Sequence, residues 1–382
     1  MPSDAARPSR IPVTILTGFL GSGKTTVLNH LVRQPELAGA LVIVNEFGAV
    51  GLDHLLVAHS TEDTVIQMSS GCLCCTVRSD LVTTLRQIGW RFAREGRRQF
   101  DRVLIETTGL ADPVPIIHTL VTDTFIAGHY RLDGIVTTVD MVAGAHTLDA
   151  HPESVKQAAV ADCLLLTKAD QAAPQAVQQM TRRLRRINPS APCLPVRDGV
   201  VEPRRLLGLG LFGPAGKIGD VARWLDEEAY ARSDPALMDM AGDDGNSRDH
   251  GHGHSHDRVR DEHDEHSHRH DANRHDDHIR AFCFTLDTPL DPDAVQSWLQ
   301  TVKAAMGPDM LRIKGILNIR GQDGSTVIQG VQHVFHPPVR LDAWPGDDRQ
   351  SRLVFITRDI ERQAIEATLA GLAPAGHIRW HR

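Results

Sequence analysis

The stretch Gly18-Phe-Leu-Gly21-Ser22-Gly23-Lys24-Thr25-Thr26 constrains this chain more than any other. It fits G-x-x-x-x-G-K-[S/T], with an apolar run over residues 13–17 before it and a helix-like stretch over 25–33 after it. Glycines let a backbone wrap closely round a ligand, and N–H groups at a helix N-terminus attract anions. Strand, loop and helix in this order therefore read as a phosphate cradle. Gly18, Gly21, Ser22, Gly23 and Thr26 line it, Lys24 neutralises β- and γ-phosphates, and the Thr25 hydroxyl ligates Mg²⁺. The bland alternative is a Gly-rich turn with an exposed lysine, which motif and context together disfavour.

A second acidic element is expected at the end of a neighbouring strand. Val103-Leu104-Ile105-Glu106-Thr107-Thr108-Gly109 supplies it. Glu106 would hold Mg²⁺ through water or orient an attacking water, and Gly109 would report the γ-phosphate. A strand-end carboxylate in a surface ion pair stays open as the other reading of Glu106. Lys24, Thr25 and Glu106 are the expected catalytic set. Base choice falls to Thr167-Lys168-Ala169-Asp170, directly after an apolar strand. The Asp170 carboxylate can accept two hydrogen bonds from the N1–H and N2–H₂ of guanine, and the Lys168 stem can cover the base face. GTP is expected over ATP, although Thr167 stands where the usual pattern has Asn.

From residue 11 to about 228, short apolar runs alternate with helix-like stretches. That is the signature of an α/β domain, a P-loop NTPase domain with a mainly parallel sheet. Strands are expected at 13–17, 40–45, 103–106, 134–139 and 163–167, rich in Val, Ile and Leu without clean alternation, as in strands covered on both faces. Helices are expected at 25–33, 78–95 and 176–187. Residues 1–10 read as a flexible arm. Residues 229–279 read as a disordered linker, because 243–278 is nearly all His, Asp, Glu, Arg, Gly, Ser and Asn and has little to bury. Residues 280–382 read as a smaller α+β C-terminal domain, with strands at 280–287, 310–319, 325–334 and 353–357 and helices at 292–306 and 360–372.

Three of the six cysteines fall within four positions, as Gly71-Cys72-Leu73-Cys74-Cys75. Three thiolates at i, i+2 and i+3 can face one soft ion and leave a fourth position open for handing it over. Zn²⁺ fits best, while Cu(I) or Co²⁺ can occupy the same ligands and hard Mg²⁺ cannot. A redox pair is the rival, but no C-x-x-C is present in a thioredoxin-like unit. Cys163, Cys193 and Cys283 stand alone among apolar neighbours and read as small buried hydrophobes. Asn45-Glu46-Phe47-Gly48, at another strand end, reads as a switch, and Glu46 as an extra oxygen ligand or a bland strand-end acid. In the linker, His250, His252, His254, His256, His263, His266, His268 and His270 suit weak, fast-exchanging metal contact; a solvated spacer is the alternative.

Net charge is −7 and aromatics are 4%, so neither a basic field nor stacking surface speaks for nucleic acid. No uncharged apolar run approaches the ~20 residues that span a bilayer. The apolar stretch after Arg7 and Arg10 leads into the glycine loop rather than a cleavage site, so a cytoplasmic chain without membrane partners is expected.

The ordered set of residues 18–26, Asn45–Gly48, Gly71-Cys-Leu-Cys-Cys75, Glu106-Thr-Thr-Gly-Leu-Ala-Asp-Pro113 and Thr167-Lys-Ala-Asp170 resembles the CobW-like family of metal-handling GTPases. Arg312-Ile-Lys-Gly315, Gln332-His-Val-Phe-His336 and Arg352-Leu-Val-Phe-Ile-Thr-Arg-Asp359 look like its C-terminal domain. The resemblance implies a GTP-hydrolysing zinc chaperone. Cys72, Cys74 and Cys75 would then hold the metal for an unidentified client metalloprotein, the loop would bind phosphates, and Lys168 and Asp170 would bind guanine. It also leaves a cobalt chaperone for cobalamin synthesis, or an activator of nitrile hydratase, as alternatives within the family. From other classes, a metal sensor or storage protein with a structural nucleotide site and a small-molecule kinase remain rivals. The sequence leaves open whether the chain forms a homodimer.

Overall fold

A computed structural model describes residues 10–44, 65–67, 75–94, 97–209, 278–344 and 348–381. The first part opens with β1 (Ile11–Gly18), α1 (Lys24–Leu31), β2 (Ala40–Val44), β3 (Val65–Gln67) and α2 (Cys75–Arg91). A short hairpin of β4 (Ala93–Arg94) and β5 (Arg97–Arg98) leads to β6 (Arg102–Glu106). Next come α3 (Val114–Thr122), α4 (Thr124–His129), β7 (Tyr130–Asp140), α5 (Gly144–Ala150) and α6 (Pro152–Ala159). β8 (Cys163–Thr167), α7 (Pro174–Ile187) and β9 (Cys193–Val196) complete this part.

Seven strands form one sheet in the order β3-β2-β6-β1-β7-β8-β9, and every pairing in it is parallel. β1 is buried along nearly its whole length, as the unalternating apolar pattern predicts. From β1 the chain builds β2, β3 and β6 on one side, then crosses to build β7, β8 and β9 on the other. Such a reversal opens a crevice beyond the carboxyl ends of the strands, where open α/β sheets bind ligands. Register places Leu16 beside Glu106, Gly18 beside Thr138, Val44 beside Glu106 and Asp140 beside Thr167. These strand ends share one edge.

The second part comprises β10 (Ile279–Leu286), α8 (Pro292–Met306), β11 (Met310–Leu317), β12 (Thr326–Val331), β13 (Val334–Phe335), β14 (Val339–Arg340), β15 (Ser351–Arg358), α9 (Arg362–Leu369) and β16 (Ile378–His381). Its antiparallel sheet runs β13-β12-β11-β15-β10-β16, with β14 also on β12. Asp291 caps α8 by accepting from the Asp293 and Ala294 N–H groups at 3.0 and 3.2 Å, and Pro292 sets the first turn. Trp298, Val302, Ile365 and Leu369 carry both helices onto Phe284, Ile313 and Phe355 of the sheet.

Some elements differ from the sequence reading for local reasons. The strand expected over 325–334 breaks into β12 and β13, because Gln332 turns the chain with φ of 53°. α3 to α6 were not marked by the pattern: they are only six to nine residues long, too short for a 3.6-residue stripe to stand out.

The two sheets share apolar packing. Leu311 and Ile356 join Val155, Leu164 and Leu184 in one cluster, and Val331 and Val334 join Ile117 in another. At this joint Asp162, just before β8, accepts from Arg312, which is within charge-assisted contact, and from Lys314 Nζ at 3.0 Å. Arg312 also donates to the Val160 carbonyl at 2.5 Å. Burial alone would raise the Asp162 carboxyl, but Arg312 and Lys314 outweigh it and hold Asp162 below the usual carboxylate range.

Candidate nucleotide and metal site

The phosphate loop is drawn against β7 and β8 from below. Gly18 has φ of 141°, and a side chain there would collide with Thr138, so only glycine lets β1 turn this close to its neighbour. Ser22 Oγ bonds the Phe19 carbonyl and the Thr138 hydroxyl, both at 2.7 Å. Thr167 Oγ1 donates to the Ser22 carbonyl at 2.8 Å and to the Val139 carbonyl at 3.1 Å. Thr167 thus tethers the segment expected to read the base to the loop, which gives the residue at this departure from the usual pattern a structural task. Gly21 and Gly23 take left-handed backbone, and Gly23 leads directly into α1.

Lys24 is buried, and its ammonium donates to the Gly18 and Phe19 carbonyls at 2.9 and 3.0 Å. Thr25 Oγ1 donates to Glu106 Oε1 at 2.8 Å, joining the first turn of α1 to the end of β6. Thr25 and Thr26 are exposed, whereas Glu106 is buried. The neighbouring Thr107 hydroxyl is taken up by Thr17 at 2.8 Å, while Thr108 Oγ1 is buried with no hydrogen bond among the described residues. Gly109 lies against the loop itself: an added Cβ would fall 2.5 Å from the Leu20 nitrogen.

On the other flank, Lys168 has φ of 55°, and its ammonium bridges the Gly21 carbonyl at 2.9 Å and Asp140 Oδ2 at 2.6 Å. Asp140 also accepts from the Val142 and Ala143 N–H groups at 2.7 and 3.1 Å. Burial raises the Asp140 carboxyl, yet Lys168 and these amides more than compensate and hold it below the ordinary range. Asp170 is exposed in the one-turn 3-10 segment after Lys168. Sequence reasoning gave Thr138, Asp140 and Thr108 no role, although Thr138 falls in the strand expected over 134–139, Asp140 directly after it and Thr108 in the motif that follows Glu106.

The cysteine cluster is described only at its end. α2 begins at Cys75, whereas Cys72, Cys74, the Asn45–Gly48 segment and the histidines at 250–270 lie outside the described residues. Among the described residues no group of three or more His, Cys, Asp or Glu could hold a metal ion. Cys163 and Cys283 are fully buried and Cys193 is half-buried, as lone apolar cysteines should be. No described helix is long and apolar enough to cross a membrane.

Strand, glycine loop and buried lysine, with acids and hydroxyls gathered at the carboxyl edge of a parallel sheet, define a P-loop nucleotide-binding protein. Residues 12–195 match the CobW/HypB/UreG nucleotide-binding domain, and residues 279–373 match the C-terminal domain of the cobalamin synthesis protein cobW. The zinc chaperone YjiA of Escherichia coli is 30% identical over 362 residues, spanning 95% of this chain and 98% of its own length. The zinc-regulated GTPase metalloprotein activator 1 of Schizosaccharomyces pombe is 30% identical over 342 residues, spanning 85% of this chain and 76% of its own. A crystal structure of Zn(II)-bound YjiA GTPase from E. coli matches with a TM-score of 0.61 at 27% identity, covering 96% and 99% of the two chains. This chain belongs to the CobW/HypB/UreG family.

Proposed function

We propose that this chain is a GTP-hydrolysing metallochaperone that holds zinc on Cys72, Cys74 and Cys75 and delivers it to a client metalloprotein. One observation carries the reading. β3 ends at Gln67, beside Val44, and Val44 lies beside Glu106. α2 starts at Cys75 and must run back before β6 can pair in parallel. The described chain leading to Cys72 and Cys74 thus ends at Gln67, one strand away from the Glu106 end of β6, and it resumes at Cys75, which supports a cysteine site close to the nucleotide. The names of the relatives, zinc chaperone and zinc-regulated GTPase activator, support the same cargo.

Thr25 and Glu106 offer hard oxygens 2.8 Å apart, a donor set that fits Mg²⁺ and not a thiophilic ion. Bound there, Mg²⁺ would supply charge neutralisation on the phosphate oxygens. The chain's own residues do the rest. Lys24 exchanges the Gly18 and Phe19 carbonyls for phosphate oxygens, Gly109 reports the terminal phosphate, and Lys168 with Asp170 frames guanine. Glu46 and the cysteines couple nucleotide to cargo: metal is held tightly while the γ-phosphate is present, and its loss favours transfer. The histidines at 250–270 act as a buffer that keeps metal near that segment.

Phosphate release from GTP is expected with no added acceptor, and Lys24→Ala should abolish it. A Co²⁺-loaded sample should show thiolate-to-cobalt charge-transfer absorption, which histidines cannot produce, and replacing all three cysteines by Ser should remove the band. A chain that turns over GTP yet shows no such band carries its metal elsewhere, and the proposal fails.

A further inference from the structure

Helix α6 touches both the segment after Glu106 and the second sheet. Gln157, buried at 1% exposure, donates its amide N–H groups to the Gly109 carbonyl at 3.2 Å and the Ala111 carbonyl at 3.0 Å. The preceding residue, Lys156, pairs with Asp112 at 2.5 Å. Two consecutive side chains of one helix therefore clasp residues 109–112, and Gly109 in turn abuts the Leu20 backbone in the phosphate loop. The helix is itself fixed. Thr137 Oγ1 donates to the Gln157 carbonyl at 2.9 Å, and Arg312 from β11 donates to the Val160 carbonyl at 2.5 Å just past its last turn. The same guanidinium joins Lys314 on Asp162.

The amide is used unevenly. Its nitrogen serves two carbonyls, while Gln157 Oε1 is buried without a hydrogen bond among the described residues. What distinguishes Gln here is a pair of N–H donors on one side, aimed at the backbone that abuts the phosphate loop at Leu20.

We propose that Gln157 and Lys156 are positioning residues for GTP hydrolysis, holding residues 109–112 against the phosphate loop, and that Arg312 makes the C-terminal sheet part of this support by fixing the end of α6. The inference rests on the GTPase reading above. The chemistry is unchanged by it: Gln157 acts through the Gly109 and Ala111 carbonyls. It also gives the second sheet a route to the hydrolysis rate, so that a client seated on that sheet can alter turnover without touching nucleotide.

The test uses the full chain with Mg²⁺, comparing single-turnover GTP hydrolysis with affinity for a fluorescent GDP analogue. Gln157→Leu leaves both carbonyls without the donor, and hydrolysis should slow by roughly tenfold to a hundredfold, the scale of a misplaced reacting group. GDP affinity should stay within about twofold, because phosphate-loop contacts are intact. Gln157→Glu supplies the sharper readout. Its ionised carboxylate faces two acceptors, with Lys156 and Asp112 as the charged neighbours, and burial raises its pKa. Protonation restores one donor, so its rate should recover as pH falls, a profile the native chain lacks. Arg312→Lys, which keeps the charge but loses the fork onto Val160, should slow hydrolysis by less than Gln157→Leu. Native rates in Gln157→Leu, or a rate that falls only in step with GDP affinity and thermal stability, would overturn the positioning role while leaving the GTPase reading intact. If the native chain itself hydrolyses no GTP, both fall.

Discussion

Lys24 and Arg312 are both buried cations that donate to backbone carbonyls, yet they sit in opposite kinds of surroundings. Lys24 bonds the Gly18 and Phe19 carbonyls inside a glycine loop open to the sheet's crevice. Arg312 bonds the Val160 carbonyl and, with Lys314, the buried carboxylate of Asp162. Bonds to neutral carbonyls can be traded for phosphate oxygens at modest cost, because an anion repays the exchange with charge. Bonds to a buried carboxylate cannot be traded, since release would leave a desolvated charge unpaired. The first arrangement suits a group that works by changing partners; the second suits a group that holds two sheets in one register.

The contrast breaks most easily at Asp162. Asp162→Ala strands two cations in the joint and should cost about 3–5 kcal/mol in denaturant unfolding. A cost under about 1 kcal/mol would mean the joint is wet and the comparison is false. Next in size is Lys24→Ala, expected to cut GTP hydrolysis by roughly a hundredfold or more, while circular dichroism shows the fold retained.

His336 sharpens the comparison through pH. Burial, with Arg312 nearby, lowers its pKa from 6.5 to about 4, against the opposing pull of Asp162; Arg10 adds to the lowering. The folded state keeps His336 neutral where the unfolded chain protonates it. Its contribution is therefore fully present above pH 6.5 and is lost as pH falls from 6.5 to about 4. The loss amounts to roughly 3 kcal/mol at the full shift. Asp162, whose carboxyl is depressed, adds a loss only below the ordinary carboxylate range. Unfolding measured across this window should be steep in the native chain and flatter in His336→Gln. The smallest effect belongs to Thr167. Thr167→Val removes the hydroxyl donor from the Ser22 carbonyl and should destabilise by about 1–3 kcal/mol. Thr167→Asn restores donors and should lie nearer to neutral, with GTP affinity no weaker than native.

Much of this architecture was legible in the sequence, because a glycine loop between an apolar run and a helix leaves few alternatives, and unalternating Val, Ile and Leu runs mark strands covered on both faces. The span expected for the helix Pro292–Met306 coincides with the structure, since Asp291 and Pro292 mark its start. Asp162 gave no such signal. It reads as an ordinary acid before β8, and its partner Arg312 lies 150 residues away in sequence. Gln157 and Asp140 were equally silent, for only the parallel topology brings α6 and the end of β7 beside the phosphate loop. The short helices around them are too brief for periodicity to reveal.

Coupling between nucleotide and metal is most directly tested by the Zn²⁺ affinity of the full chain saturated with Mg²⁺ and either a non-hydrolysable GTP analogue or GDP. Tighter Zn²⁺ binding with the analogue is expected, with the same ratio recovered for nucleotide affinity with and without zinc, and with both ratios collapsing to one in Cys74→Ser. Equal Zn²⁺ affinity in the two nucleotide states would contradict it.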